Sequence, residues 1–217
     1  MTTIRHTLVS DGVTDTHLIP IIDWTLRQLG GIESIQGVRA DFWRLPTPPS
    51  TLSDRLIQAV ELHPCDILFV HRDTENASRD QRGNEIRDAV RIAATFGVHL
   101  PAVAVIPVRM LEAWLCFNEK AIRHAAGNPN GIIPLNLPSL TSIEERPDPK
   151  NDLRIALERA SELTGRRLKK FNRSQAFWNL VEFITDFAPL RFLPAFNQFE
   201  SAVKNLRQAG WKKGVYL

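Results

Sequence analysis

Asp66-Ile67-Leu68-Phe69-Val70-His71-Arg72-Asp73-Thr74-Glu75 is the stretch that decides the fold: four consecutive apolar residues run straight into a polar segment containing two acids. An apolar run without alternation predicts a strand buried on both faces, as in a parallel sheet covered by helices. Asp73 and Glu75 then fall just past its carboxyl end, the edge where open α/β sheets bind ligands because the loops leaving the strand tips converge there. Two acids one residue apart on such a loop suit a hard cation, Mg2+ or Mn2+, which prefers carboxylate oxygen. The plainer reading is local: Asp73 caps a turn or the next helix.

Three similar units surround this one. Residues 4–9 read as a strand, followed by Ser10-Asp11-Gly12-Val13-Thr14-Asp15 and a helix whose apolar positions, Leu18, Ile19, Ile22, Leu26 and Leu29, recur at helical spacing until Gly30-Gly31. Residues 38–43 read as a second strand, with a helix over 52–62. After the opening stretch come a helix over 84–96, a strand over 102–108 and a helix over 110–118 that carries Glu112 in its first turn. Four βα units in a row predict an α/β fold with a mostly parallel four-stranded sheet flanked by helices. Right-handed crossovers bring the strand ends to one edge, so Asp11, Asp73, Glu75 and Glu112 are expected on a common rim as a candidate metal site. Turn chemistry for Asp11 and Asp15, and interaction with a helix N-terminus for Glu112, are the local alternatives.

Composition narrows the function classes. The chain is 43% hydrophobic and 24% charged over 217 residues, as for a globular protein, and no apolar run has the length of a bilayer span. It has no basic region followed by an apolar leader, so a cytoplasmic protein without membrane contact is expected. Cys65 and Cys116 lack the spacing of a zinc site, which predicts buried free thiols. Residues 1–120 carry 12 Lys+Arg and 15 Asp+Glu, a net −3, whereas residues 121–217 carry 15 and 9, a net +6. The basic half suits a phosphate backbone, although a solvated helix face has the same composition.

The expected division is an α/β domain over 1–120, a long loop over 121–149 and a helical extension over 150–217 packed on the first domain. The loop carries Gly127-Asn128-Pro129-Asn130-Gly131 and further prolines up to Pro149. Beyond it, Leu153, Ala156, Leu157, Ala160 and Leu163 share a helix face, and Phe177, Leu180, Val181 and Ile184, then Phe196, Phe199, Val203 and Leu206, mark two more helices. Between them Arg166, Arg167, Lys169, Lys170 and Arg173 crowd a short segment, a candidate nucleic-acid contact along with Arg72, Arg79 and Arg82. His71, directly after an apolar strand, reads as a hydrogen-bonded structural residue.

Asp11-Gly12-x-Thr14-Asp15 after the first strand and Asp73-x-Glu75 after the third resemble the Toprim pattern of primases, topoisomerases and related nucleases. The run Ile106-Pro107-Val108-Arg109-Met110-Leu111-Glu112-Ala113-Trp114-Leu115, together with Asp148-Pro149-Lys150, is similar to a family of uncharacterised prokaryotic Toprim-like proteins often encoded beside ATPases in defence or toxin-like loci. Asp11 stands where the pattern has Glu, and Glu75 where it has Asp. The resemblance implies that Asp73 and Glu75 hold Mg2+, that Asp11 serves as acid, base or further ligand, and that an ATPase is a partner. A metal-dependent nuclease is the first expectation. A non-catalytic Toprim-like module regulating a multi-protein defence complex is the second, and a phosphatase or phosphotransfer domain of similar form the third.

Overall fold

The computed structural model describes residues 3–74, 77–211 and 214–216. Among them, β1 (Thr3–Val9), β2 (Ser34–Arg39), β3 (Ile67–His71), β4 (Ala102–Val105) and β5 (Val215–Tyr216) form one sheet in the order β2-β1-β3-β4-β5, every pair parallel. Helices α1 (Leu18–Arg27), α2 (Leu52–Leu62) and α3 (Arg79–Thr95) connect the first four strands. The expected α/β class with four parallel strands and flanking helices is therefore present, with a fifth short strand added.

Register explains which side chains share a face, because paired residues of parallel strands point the same way. His6 pairs with Ile67, and Leu8 with Phe69, whose partner on β4 is Val103. The opposite face presents Val9, Leu68, Val70, Ala102 and Ala104, which form one core cluster with Leu56 and Ala59 of α2 and Ile86, Ala89 and Ala93 of α3. Every residue of β3 is buried, as its unbroken apolar run predicts. On the other face Phe69 meets His6 edge-on at 5.2 Å and Phe199 of α8 (Pro194–Gln208) at 6.1 Å.

β4 ends at Val105 rather than 108 and α3 begins at Arg79 rather than 84, and two further elements depart more from the sequence expectation. The second strand runs over Ser34–Arg39 rather than 38–43. It is an edge strand whose bounds follow from pairing Thr3↔Ser34 through Leu8↔Arg39, and Ala40 and Phe42 are buried only beyond its end. Gly37, inside β2, has no room for a side chain: a Cβ there would lie 2.5 Å from the His6 ring and 2.9 Å from Ile19. His6 is held in that place by Asp23 of α1, 2.6 Å from its Nε2. The helix expected over 110–118 is a 3-10 turn, Leu111–Trp114, followed by α4 (Glu119–Ala125). Asn118 decides this, because its side chain accepts from Ala121 N at 2.9 Å and starts a new helix there. The segment expected as a loop thus holds a helix at its start and a 3-10 turn, Ile143–Glu145.

The chain divides into two compact units, Met1–Ile106 with Asn197–Leu217, and Pro107–Phe196. The charge-based boundary at residue 120 falls inside the second. That second unit packs α4 with α5 (Pro149–Ser161) and α7 (Arg173–Leu180). Its fully buried Trp114 meets Phe196 edge-on at 5.4 Å. Arg123, almost buried there, is charge-compensated by Glu119 at 2.6 Å and donates to the Ile133 carbonyl at 2.8 Å. Cys65 and Cys116 are free and buried, and burial raises both thiol pKa values, which keeps them protonated and inert. Among the described residues, no helix is long and apolar enough to cross a membrane.

Candidate functional site

In this strand order the chain leaves β1 toward β2 on one side and returns to β3 on the other, so the switch point lies between the carboxyl ends of β1 and β3. Loops depart there in opposite directions and leave a crevice, the usual ligand position in open α/β sheets. The β1 end supplies Asp11 and, through the 3-10 turn Val13–His17, Asp15; the β3 end supplies His71, Arg72 and Asp73. Sequence reasoning expects Asp11, Asp73, Glu75 and Glu112 on one rim and does not foresee that Asp15 and Asp73 both face His71.

Asp11 is fully engaged. Its Oδ1 accepts from Arg55 of α2 and its Oδ2 from Arg72 Nη1 at 2.6 Å. Arg72 also reaches Glu85 at 3.5 Å, while its Nε is buried without a hydrogen-bond partner. Arg55 has no signature in the sequence, since its partner is 44 positions away.

The second cluster surrounds His71, which is 2% exposed. Its Nδ1 lies 3.0 Å from the Val105 carbonyl, which can only accept, so Nδ1 carries a proton. Nε2 faces two carboxylates, Asp73 Oδ1 at 3.3 Å and Asp15 Oδ1 at 3.7 Å. Asp15 is nearly buried and is set by its other oxygen, which accepts from Gly12 N at 2.8 Å. Asp73 Oδ1 is buried and within ion-pair distance of Nε2, with no hydrogen-bond partner by strict geometry. Burial by itself pulls the imidazole pKa down, but Asp73, Asp15 and the Val105 contact outweigh it and leave His71 above its ordinary value.

That shift has a measurable consequence. A histidine whose pKa is raised on folding contributes stability that is fully present below its unfolded value, about 6.5, and lost as pH rises through the folded value. Urea unfolding of the wild type against His71→Gln should therefore show a gap that is largest below about pH 6.5 and narrows at alkaline pH. A gap that widens with pH would contradict the imidazolium.

The other expected residues fall as follows. Arg82 donates to the Asp73 carbonyl at 2.9 Å and to both oxygens of Glu85, and Arg79 donates to the Ile106 carbonyl, so both brace the crevice walls. Glu75 lies outside the described residues. Glu112 belongs to the second unit, buried in the turn Leu111–Trp114. Arg166, Arg167, Lys169 and Lys170 are exposed along α6 (Gly165–Lys169) and its C-cap.

No family model, curated protein or solved structure matches the chain. The chemistry of the site is read from its own atoms. Among the described residues, no group of three or more His, Cys, Asp and Glu is disposed to enclose a metal ion. Two carboxylate oxygens nonetheless come together at His71: Asp73 Oδ1, buried and without a hydrogen-bond partner, and Asp15 Oδ1. Mg2+ commonly takes one or two protein carboxylates and completes its shell with water and substrate phosphate, so this donor set fits it.

Proposed function

We propose that the protein is a Mg2+- or Mn2+-dependent phosphodiesterase of Toprim-like kind that cleaves nucleic acid, working in a prokaryotic anti-phage defence or toxin-like system with an ATPase partner. The observation that carries the reading is the convergence, at the switch point of a parallel sheet, of two carboxylates that share His71 and two arginines tied to a third carboxylate. Asp73 and Asp15 would hold the cation, together with Glu75, which lies outside the described residues. When bound, the ion neutralises phosphate charge and stabilises the attacking and leaving oxygens of the displacement. His71 positions Asp73 by charge, through the buried Oδ1 that faces its Nε2. Arg72 and Arg55 supply guanidinium donors suited to a phosphodiester oxygen. Asp11, with both oxygens on those guanidinium groups, orients them rather than exchanging protons itself.

The basic segment of the second unit supports affinity rather than chemistry. Replacing Arg166, Arg167, Lys169 and Lys170 together by glutamine should weaken DNA or RNA binding and flatten its salt dependence, by roughly 0.9 in log–log slope for each duplex phosphate that is no longer neutralised. An unchanged slope in a titration from about 50 to 300 mM salt would remove this segment from the interface.

The deciding experiment is incubation of the purified chain, alone and with the product of a neighbouring ATPase gene, with end-labelled DNA and RNA in Mg2+, Mn2+ or EDTA. Metal-dependent fragments are expected. The closed pairing of Asp11 with Arg55 and Arg72 favours one other reading, a non-catalytic Toprim-like module of the same complex. Nucleic-acid or partner binding without cleavage under every condition would select it.

A further inference from the structure

The sheet edge beside the crevice carries an exposed aromatic that the reading above leaves unused. Trp43 follows β2 and is 79% exposed, so one whole ring face is open to a partner. Its backbone N–H donates to Asp41 Oδ1 at 3.2 Å, and the turn that bears it is followed by Pro46, Pro48 and Pro49, whose fixed φ angles stiffen the loop. Trp43, Phe42 and Pro48 line a cleft of about 90 Å3 together with Arg39, Asp11 and Arg55. Arg44 adds a nearly free cation, 92% exposed and only loosely paired with Asp41 at 3.7 Å. Asp11 and Arg55 belong both to this cleft and to the crevice, so the two are continuous.

We propose that Trp43 and its cleft seat an unpaired base of a single-stranded nucleic acid whose backbone passes Arg39, Arg44 and Arg55 on its way to the crevice. An exposed tryptophan offers a stacking face that every base can use, while Arg44, 92% exposed beside it, offers a cation to the adjoining phosphate. A base inside a duplex has no free face to offer, so the site selects single strands or splayed ends. The inference rests on the nucleic-acid reading above and specifies its substrate class.

Binding is measured in EDTA, which separates it from cleavage. The probes are fluorescein-labelled oligo-dT and oligo-rU of about 20 nucleotides and a duplex of about 20 base pairs, long enough to span one such site. The wild type should bind a single strand more tightly than the duplex, with quenching of tryptophan emission. Trp43→Ala should lose about fivefold to a hundredfold in single-strand affinity, the range for one stacked base, and keep its duplex affinity; Trp43→Phe should recover most of the loss. An unchanged melting temperature shows that the loss is not unfolding, as the exposure of Trp43 predicts. Single-strand affinity that Trp43→Ala leaves intact, or that falls equally with duplex affinity, overturns the proposal. A protein that binds single strands through Trp43 but never cuts them supports it while removing the phosphodiesterase reading; one that cuts equally well after Trp43→Ala does the reverse.

Discussion

Replacing Asp73 by alanine should lower phosphodiester cleavage by about a thousandfold or more while leaving nucleic-acid affinity nearly unchanged. The magnitude follows from the several kcal/mol of charge stabilisation a metal ion contributes to a phosphoryl displacement, at about 1.36 kcal/mol for each tenfold in rate. Asp73 follows the carboxyl end of β3 and carries a buried oxygen without a hydrogen-bond partner, so its loss removes a donor on which the proposed metal site depends. Affinity should survive because phosphate contacts by exposed basic side chains, not the metal, dominate it. The same variant should lower the pKa of His71, since it removes one of the two carboxylates that raise it, and an NMR titration of the imidazole reads this directly. Asp73→Asn separates the two effects, keeping the volume and one acceptor oxygen while giving up the charge. Cleavage at the wild-type rate in Asp73→Ala would remove Asp73 from the metal site and move the reading to the non-catalytic module.

Replacing Phe69 by alanine should cost about 3–5 kcal/mol of stability, the usual loss for a fully buried phenylalanine. Phe69 sits at the centre of β3, is 0% exposed, and is the ring against which both His6 and Phe199 pack edge-on. Its removal therefore loosens the packing through which α8 covers the sheet as well as the core itself. Domains of this kind have about 5–15 kcal/mol in total, so the variant should unfold at a much lower urea concentration. A loss below about 1 kcal/mol would mean that the neighbouring helices collapse into the gap, and that the packing seen at Phe69 is not rigid.

Local signals carry far in this chain. The apolar run of β3 announces a doubly covered strand, and Leu18, Ile22 and Leu26, or Phe196, Phe199, Val203 and Leu206, mark helix faces that are buried in the structure. They are legible because burial imposes a period on neighbouring residues. The bounds of β2 escape such reasoning because an edge strand takes them from its partner's backbone, and β5 escapes it because a two-residue strand exists only through its pairing with Ala102 and Val103. The turn at Leu111–Trp114 resembles a helix start because Trp114 and its apolar neighbours are buried whether or not the helix forms.

By itself, then, the sequence determined the alternation of strands and helices, the parallel sense of the sheet, and the placing of Asp11 and Asp73 just past strand ends. These follow from hydrophobic period, capping and the handedness of crossovers, which act over a few tens of residues at most. Which partner each acid takes was decided only by the tertiary structure. Asp11 is bound by Arg55 and Arg72, 44 and 61 positions away, and His71 is turned to Asp15 and Asp73 by a carbonyl on the next strand. Charge pairing at such separations has no period and leaves no local trace: it depends on the order in which strands join the sheet, and on burial that makes each uncompensated charge costly.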